Sequence, residues 1–211
     1  MKEITAEQTT DMLLAVCKKI IINKPLLTEI DSKIGDGDHG IGMEVGMNHA
    51  SSALIQKRPF NNVNDIFATM GMEMIGSMGG ASGVIFGTFF LTGAKQSPVQ
   101  KTLTGTLFAQ MMRISLDSIK KRGGASVGDK TMVDALEPAV LVIEKNKDRE
   151  LTAILAEAES AAAEGVENTK KYVAKYGRAK SLKERAVGFQ DAGATSVFLI
   201  FQAMHDYIKT L

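Results

Sequence analysis

Apolar residues recur at helical spacing along most of this 211-residue sequence, whereas strand patterns are nearly absent. The spacing starts with Met12, Val16 and Ile20, and the first predicted helix reaches Pro25. No alternating run of β-branched and aromatic residues lies between turn residues, as a strand would require. Further helices are predicted, between proline and glycine breaks, near residues 42–57, 62–77, 82–95, 104–121, 130–145, 150–176 and 193–209. The sequence therefore predicts an all-α fold, one domain over residues 1–211 with about eight helices, antiparallel where loops are short.

The composition excludes several classes of protein. Apolar residues make up 45% of the chain and charged residues 23%, as in an ordinary globular protein. A net charge of +1, without a long basic cluster, argues against nucleic-acid binding. No apolar run approaches the ~20 residues that span a bilayer, and the N-terminus lacks the apolar run of a signal peptide. We therefore expect a cytoplasmic protein that binds neither nucleic acid nor membrane, with its one cysteine, Cys17, buried as a free thiol.

Four of the predicted loops are rich in glycine, serine, aspartate and threonine. They cover residues 31–42, 76–83, 122–131 and 188–196. Glycine lets backbone N–H groups come close to an anion, and a loop that opens a helix adds the favourable end of the helix dipole. If neighbouring helices run in opposite directions, these four loops would lie at one end of the molecule and line one cavity.

Three carboxylates in the first of these loops predict a metal site. Asp31, Asp36 and Asp38 fall within eight residues, with glycines between them. Bringing them together costs Coulomb energy unless a cation lies between them. Mg²⁺ suits such hard oxygen ligands, and two ions could share them to clamp a phosphoryl group. An EF-hand is excluded because Gly40 and Met47 stand where that loop needs acidic ligands. The presence of only one cysteine and three histidines argues against a zinc site. A solvated acidic turn remains the alternative.

The other loops offer single candidates, each with an ordinary structural alternative. Asp129 is interpreted as the N-cap of the next helix, and Lys130 could neutralise phosphate charge. Gly177 could end a helix and leave Arg178 free to pair with a phosphate or with a surface carboxylate. Asp191 could cap the last helix or accept a hydrogen bond from a ribose hydroxyl. No Walker A pattern and no protein-kinase signature set is present.

The ordered set of motifs resembles one family. The four segments are Asp31-x4-Asp36-x-Asp38-His39-Gly40, Gly79-Gly80-Ala81-Ser82-Gly83, Gly128-Asp129-Lys130-Thr131-Met132 and Gly188-x-x-Asp191-x-Gly193-Ala194-Thr195-Ser196. Together they span nearly the whole chain, and they are similar to the nucleotide-binding L subunit of dihydroxyacetone kinase. The resemblance implies a barrel of eight antiparallel helices with ADP or ATP at one end, and two Mg²⁺ ions on Asp31, Asp36 and Asp38.

The resemblance also implies which residues contact the nucleotide. They are His39, Gly40, Ile41, Gly42, Ala81, Ser82, Gly123, Met132, Arg178, Asp191, Ala192 and Gly193. Two of these positions depart from the commonest pattern of the family. Ala192 stands where the family often has proline, which predicts a less rigid loop, and Gly42 stands where a side-chain amide is sometimes found, so any contact there must come from the backbone.

The length of the chain resembles the form of this kinase that the phosphoenolpyruvate phosphotransferase system drives. In that form ADP stays bound, a phosphocarrier subunit rephosphorylates it, and the resulting ATP gives its γ-phosphate to dihydroxyacetone on a separate substrate subunit. A histidine of that subunit holds the ketose, so no catalytic residue is assigned to this chain. Three alternatives stay open: a nucleotide-loaded adaptor that binds a transcription regulator or other partner without turnover, a detached domain of an ATP-dependent kinase, and a different short ketose such as erythrulose.

Overall fold

The computed structural model describes residues 1–211 and contains nine α-helices with very little strand. The helices are α1 (Ala6–Ile22), α2 (Lys24–Ile34), α3 (His39–Lys57), α4 (Val63–Ser77), α5 (Gly80–Gln96), α6 (Gly105–Gly123), α7 (Val133–Asn146), α8 (Leu151–Thr169) and α9 (Ala192–Ile208). A 3-10 segment covers Arg178–Ala186. Strands β1 (Glu3–Thr5) and β2 (Thr102–Thr104) pair antiparallel, with Ile4 opposite Leu103. No helix is long and apolar enough to cross a membrane.

Eight of the helices form a closed ring. Each helix from α3 to α9 packs against the next along the chain, and α1 closes the ring by packing between α3 and α9. Helix α2 lies outside the ring, against α3 and α9. The predicted all-α barrel of about eight helices is therefore confirmed, and α2 is an additional helix.

Aromatic side chains fill much of the interior of the ring. Phe67, Phe89, Phe90, Phe108 and Phe201 are buried, and they come from α4, α5, α6 and α9. The rings of Phe89 and Phe90 pack edge to face with centroids 4.6 Å apart, a favoured geometry for aromatic pairs. Burying each such side chain contributes roughly 1.5–3 kcal/mol, so the ring is held together from within. Cys17 lies in the same core, as predicted, and its burial raises the pKa of the thiol to about 12.

The structure differs from the sequence prediction at two helix boundaries. The first predicted helix reached Pro25, but α1 ends at Ile22 and Pro25 lies in the first turn of α2. Proline is well tolerated there because the first-turn N–H groups have no partner within the helix. The helix predicted over residues 150–176 ends at Thr169, and the chain continues through turns and the 3-10 segment before it reaches α9. Hereafter "the strap" denotes residues 170–190.

Candidate functional site

One cavity of about 940 Å³ opens at an end of the ring, and all four glycine-rich loops contribute to its wall. His39, Gly80, Met132 and Ala192 line it, and these residues lie at the N-terminal ends of α3, α5, α7 and α9. Four helix dipoles therefore point their positive ends at the same space. Helix α5 begins after Gly79 with no side-chain cap, so its first-turn N–H groups are available to an anion.

The three predicted metal ligands meet at the edge of this cavity. Asp31 lies in the last turn of α2, Asp38 is the N-cap residue of α3, and Asp36 lies between them. Each carboxylate offers an oxygen, and these oxygens lie within 4.8 Å of one another. Gly37 has a left-handed φ of 78°, which permits the tight turn that brings them together.

The electrostatics of this cluster favour a cation. Removal from water, together with repulsion by Asp36 and Asp31, raises the pKa of Asp38. Arg178 places its Nε 2.9 Å from Asp36 Oδ2, although both side chains remain exposed. A divalent ion would relieve the mutual repulsion of the carboxylates, and an all-oxygen donor set suits Mg²⁺. The residues present therefore fit the metal that the sequence predicts.

His39 connects the metal cluster to the inner wall of the cavity. Its backbone N–H donates to Asp31 Oδ2 at 3.3 Å, and its ring Nε2 lies 2.8 Å from Ser196 Oγ of α9. The ring packs 5.8 Å from the ring of Phe86, measured between centroids. Burial lowers the pKa of the imidazole, so it is neutral at pH 7 and can donate or accept a hydrogen bond.

Most of the other predicted nucleotide contacts lie on the same wall. These are Ile41, Gly42, Ala81, Ser82, Met132, Arg178, Asp191, Ala192 and Gly193. Gly40 and Gly123 do not line the cavity. Gly40 instead faces α2, where a Cβ atom would collide with Thr28 and with the carbonyl of Lys24, and Gly123 is the last residue of α6.

The loop before α7 is built differently from the sequence interpretation. Asp129 does not cap that helix, because its carboxylate accepts from the Ser126 N–H at 2.8 Å and pairs with Lys175 Nζ at 2.6 Å. Asp134 supplies the local acceptors instead, from the Gly128 and Thr131 N–H groups, both at 2.6 Å. An N-cap prediction based on residue type could not distinguish these two aspartates.

The ammonium of Lys130 is not free to meet a phosphate. It donates to the carbonyl of Thr169 at 2.7 Å and to the carbonyl of Phe189, and the residue is 2% exposed. Burial lowers the pKa of this ammonium, and the charges of Asp191 and Asp134 partly oppose that shift. Lys130 therefore lines the cavity, but its ammonium is already bonded within the chain, which does not support the interpretation of Lys130 as a phosphate-neutralising cation.

The strap closes one side of the cavity. Tyr176, Gly177 and Arg178 line it, and the Tyr176 hydroxyl donates to the Gly124 carbonyl at 2.8 Å. Gly177, which the sequence suggested as a helix C-cap, instead has a φ of 65° and precedes the 3-10 segment. The sequence reasoning missed Tyr176 as a lining residue, because a helix through residue 176 would not have directed it here.

Asp191 lies where the strap meets α9. It is the N-cap of this helix, as predicted, and its Oδ2 accepts from the Ala194 N–H at 2.7 Å. Burial raises the pKa of its carboxyl to about 6. Ile85 and Phe86 also line the cavity but were not predicted. The only feature of the sequence that could have indicated this role is their position four residues after Ala81 and Ser82, on the same face of the helix.

Comparison with known proteins identifies relatives over most of the chain. The DAK2 domain model matches residues 33–206. The ADP-binding subunit DhaL of PEP-dependent dihydroxyacetone kinase 1 from Listeria innocua is 38% identical over 182 residues, which cover 86% of this chain and 86% of that protein. The ADP-binding subunit DhaL of the PEP-dependent dihydroxyacetone kinase from Escherichia coli is 38% identical over 183 residues, 84% of this chain and 85% of that protein.

A solved structure shares the fold. The crystal structure of the dihydroxyacetone kinase from C. freundii in complex with AMP-PNP and Mg²⁺ matches with a TM-score of 0.74 and 25% identity over 98% of this chain. This chain spans 35% of the length of that kinase. The domain model covers most of the sequence, and both DhaL subunits match over most of their own length. On this evidence the chain belongs to the DAK2 domain family.

Proposed function

We propose that this protein is the ADP-binding subunit of a phosphoenolpyruvate-dependent dihydroxyacetone kinase and that residues 1–211 act as one domain in the cytoplasm. The observation that carries the proposal is the convergence of three carboxylates and four helix N-termini on one cavity. A magnesium-bound nucleotide combines both partners that such a cavity needs, because its phosphates are anionic and its metal is cationic.

Asp31, Asp36 and Asp38 would hold two Mg²⁺ ions. When bound, these ions neutralise the phosphate oxygens and support in-line transfer of the phosphoryl group. Two Mg²⁺ ions carry four positive charges, and the three carboxylates neutralise only three of them. The remaining positive charge is available to the phosphates. Arg178, already beside Asp36, can add a fork of donors to the same phosphates.

The remaining wall suits the other parts of a tightly held nucleotide. Backbone N–H groups at Ala81, Ser82 and Gly193 can donate to phosphate oxygens at the starts of α5 and α9. The further contacts would come from the residues that the sequence resemblance implied at this wall, namely His39, Ile41, Gly42, Met132, Asp191 and Ala192. Gly40 and Gly123 would act by shaping α3 and the end of α6, since neither lines the cavity.

The partners follow from the relatives. Proteins 38% identical to this chain are ADP-binding subunits of PEP-dependent kinases. We infer that a phosphocarrier subunit rephosphorylates the bound ADP and that a separate subunit presents dihydroxyacetone to the resulting ATP. This chain then contributes by positioning and charge neutralisation, which dominate phosphoryl transfer, and no side chain here forms a covalent intermediate.

The first test is the nucleotide content of the purified protein. The chain, purified without added nucleotide, is denatured in acid, and the released compounds are identified by chromatography and mass spectrometry. We expect about one ADP per chain, retained through dialysis and lost on chelation of magnesium. Absence of bound nucleotide, together with weak and reversible binding of added ATP, would contradict the cofactor role and favour a detached ATP-dependent domain.

The second test is phosphate flow in a mixture with the substrate and phosphocarrier subunits. We expect dihydroxyacetone phosphate to form with the native chain and with Asp148→Ala, which alters an exposed aspartate in the turn after α7. Asp36→Ala should release ADP and abolish the flow. If the protein is an adaptor, the native chain will retain its nucleotide but support no phosphate flow. If Asp36→Ala keeps both its bound ADP and the phosphate flow, the assignment of Asp36 as a metal ligand is refuted.

A further inference from the structure

Lys130 has an unusual environment for a lysine. It is 2% exposed, and its backbone adopts a left-handed φ of 60°, which non-glycine residues rarely adopt. An ammonium removed from water is costly unless it is hydrogen-bonded. Here two main-chain carbonyls, those of Thr169 and Phe189, accept from it. A strained backbone and a buried charge, held at the wall of a cavity, indicate a functional constraint.

The two carbonyls belong to opposite ends of the strap. Thr169 is the last residue of α8, immediately before the strap begins, and Phe189 lies two residues before Asp191. A second hydrogen bond also links the two ends, because the Thr169 hydroxyl accepts from the Asp191 N–H at 3.0 Å. A third bond joins the ends directly, from the Gly188 N–H to the Lys170 carbonyl at 2.7 Å. We call Lys130, Thr169, Phe189 and Asp191 the strap joint.

We propose that Lys130 is a positioning residue whose ammonium joins the two ends of the strap and thereby holds Arg178 and Asp191 at the cavity. The part of this proposal that concerns nucleotide retention rests on the proposed function, whereas the part that concerns the strap does not. Between its ends, the strap is supported by the hydrogen bond of Tyr176 with Gly124, by two contacts of Lys175 with Asp129 and by the ion pair of Arg178 with Asp36. A small cluster formed by Ile34, Ala174 and Ala186 adds apolar packing. Without the joint, the strap would keep only these supports and the hydrogen bond between Gly188 and Lys170.

Limited proteolysis with trypsin tests the strap directly. The strap carries seven cleavable residues: Lys170, Lys171, Lys175, Arg178, Lys180, Lys183 and Arg185. The exposed turn at residues 147–149 is an internal reference outside the joint. Lys130→Met keeps the side-chain length and removes the charge. Lys120→Met is the matched control, because Lys120 pairs with Glu137 at the surface and does not line the cavity.

We expect Lys130→Met to speed cleavage within the strap at least tenfold, while cleavage at residues 147–149 and the Lys120→Met pattern stay as in the native chain. A parallel rise at every site would show general destabilisation and would overturn the proposal, as would unchanged cleavage of the strap. If Lys130→Met does not fold, Thr169→Val decides instead, since it removes the hydroxyl tie to Asp191 and nearly conserves the volume. It should raise strap cleavage severalfold, and no change would refute the role of the joint.

The dissociation rate of a fluorescent ADP analogue, measured with Mg²⁺ by displacement with unlabelled ADP, tests the link to the cavity. We expect at least tenfold faster release from Lys130→Met than from the native chain and from Lys120→Met. If Lys130→Met releases the analogue at the native rate although its strap is cleaved faster, the positioning role is refuted. The joint would then only stabilise the strap. If the native chain binds no analogue, the proposed function fails, and the proteolysis result still decides the role of the joint.

Discussion

Asp191 allows a quantitative test of the electrostatics at the cavity. Its carboxyl has a pKa of about 6 in the folded protein and a reference value of 3.8. Because the folded-state pKa is the higher one, the native state favours the protonated carboxyl. The resulting stability is fully present below pH 3.8 and is lost as the pH rises through about 6. A difference of roughly two pKa units corresponds to about 3 kcal/mol of unfolding free energy.

Asp191→Asn removes this titration and retains a good helix N-cap. We expect the unfolding free energy of the variant, minus that of the native chain, to rise by roughly 2–2.5 kcal/mol between pH 4 and pH 7.5, because part of the full ~3 kcal/mol is already lost at pH 4. Urea unfolding of metal-free and nucleotide-free protein across this range measures the difference. Subtracting one stability curve from the other also cancels the titration of groups that do not interact with Asp191.

Asp206→Asn is a control of opposite sign. The hydrogen bond from Lys209 lowers the pKa of Asp206, so this carboxylate stabilises the fold above its unfolded pKa. Its removal should therefore cost stability as the pH rises. Parallel stability curves for Asp191→Asn and the native chain would refute the conclusion that burial at the strap joint raises the pKa of Asp191.

Three further predictions concern single contacts. Gly40→Ala should lower the unfolding free energy by about 1–3 kcal/mol in urea, because its Cβ would collide with α2; an unchanged midpoint would contradict this packing. Asp31→Asn should weaken Mg²⁺ binding at least tenfold by calorimetry, which corresponds to about 1.4 kcal/mol, and unchanged affinity would exclude Asp31 as a ligand. Ser196→Ala should change the NMR-detected tautomer populations of His39 while the fold persists, since it removes the partner of Nε2; an unchanged spectrum would refute this tie.

The helical fold could be predicted from the sequence because local patterns determine most of it. Apolar spacing and glycine or proline breaks located eight of the nine helices, within a few residues at most ends. Helix α2 was missed because Pro25 was interpreted as a stop, although proline is equally compatible with a first turn. The end of α8 was missed because the carbonyl of Thr169 bonds to Lys130, which is distant in sequence.

The sequence predicted which residues belong to the candidate site better than it predicted the partners to which they bond. Three aspartates separated by glycines indicate a cation wherever the chain folds back on itself, and their oxygens do converge. The roles of Asp129 and Lys130 depended on residues 39 or more positions away, namely Lys175, Thr169 and Phe189. No local pattern specifies such partners, so residue type alone suggested a cap and a phosphate-binding cation.

The arrangement of helices in the ring explains why an anion is expected to bind at this end of the molecule. Every second helix, from α3 to α9, begins at the cavity, so their dipoles add there rather than cancel. The positive ends of these helices favour an anion, whereas the carboxylates of Asp31, Asp36 and Asp38 disfavour an anion that carries no metal. The cavity should therefore discriminate against free phosphate compounds and select metal-bound ones, because only the complex satisfies the helix ends and the carboxylates together.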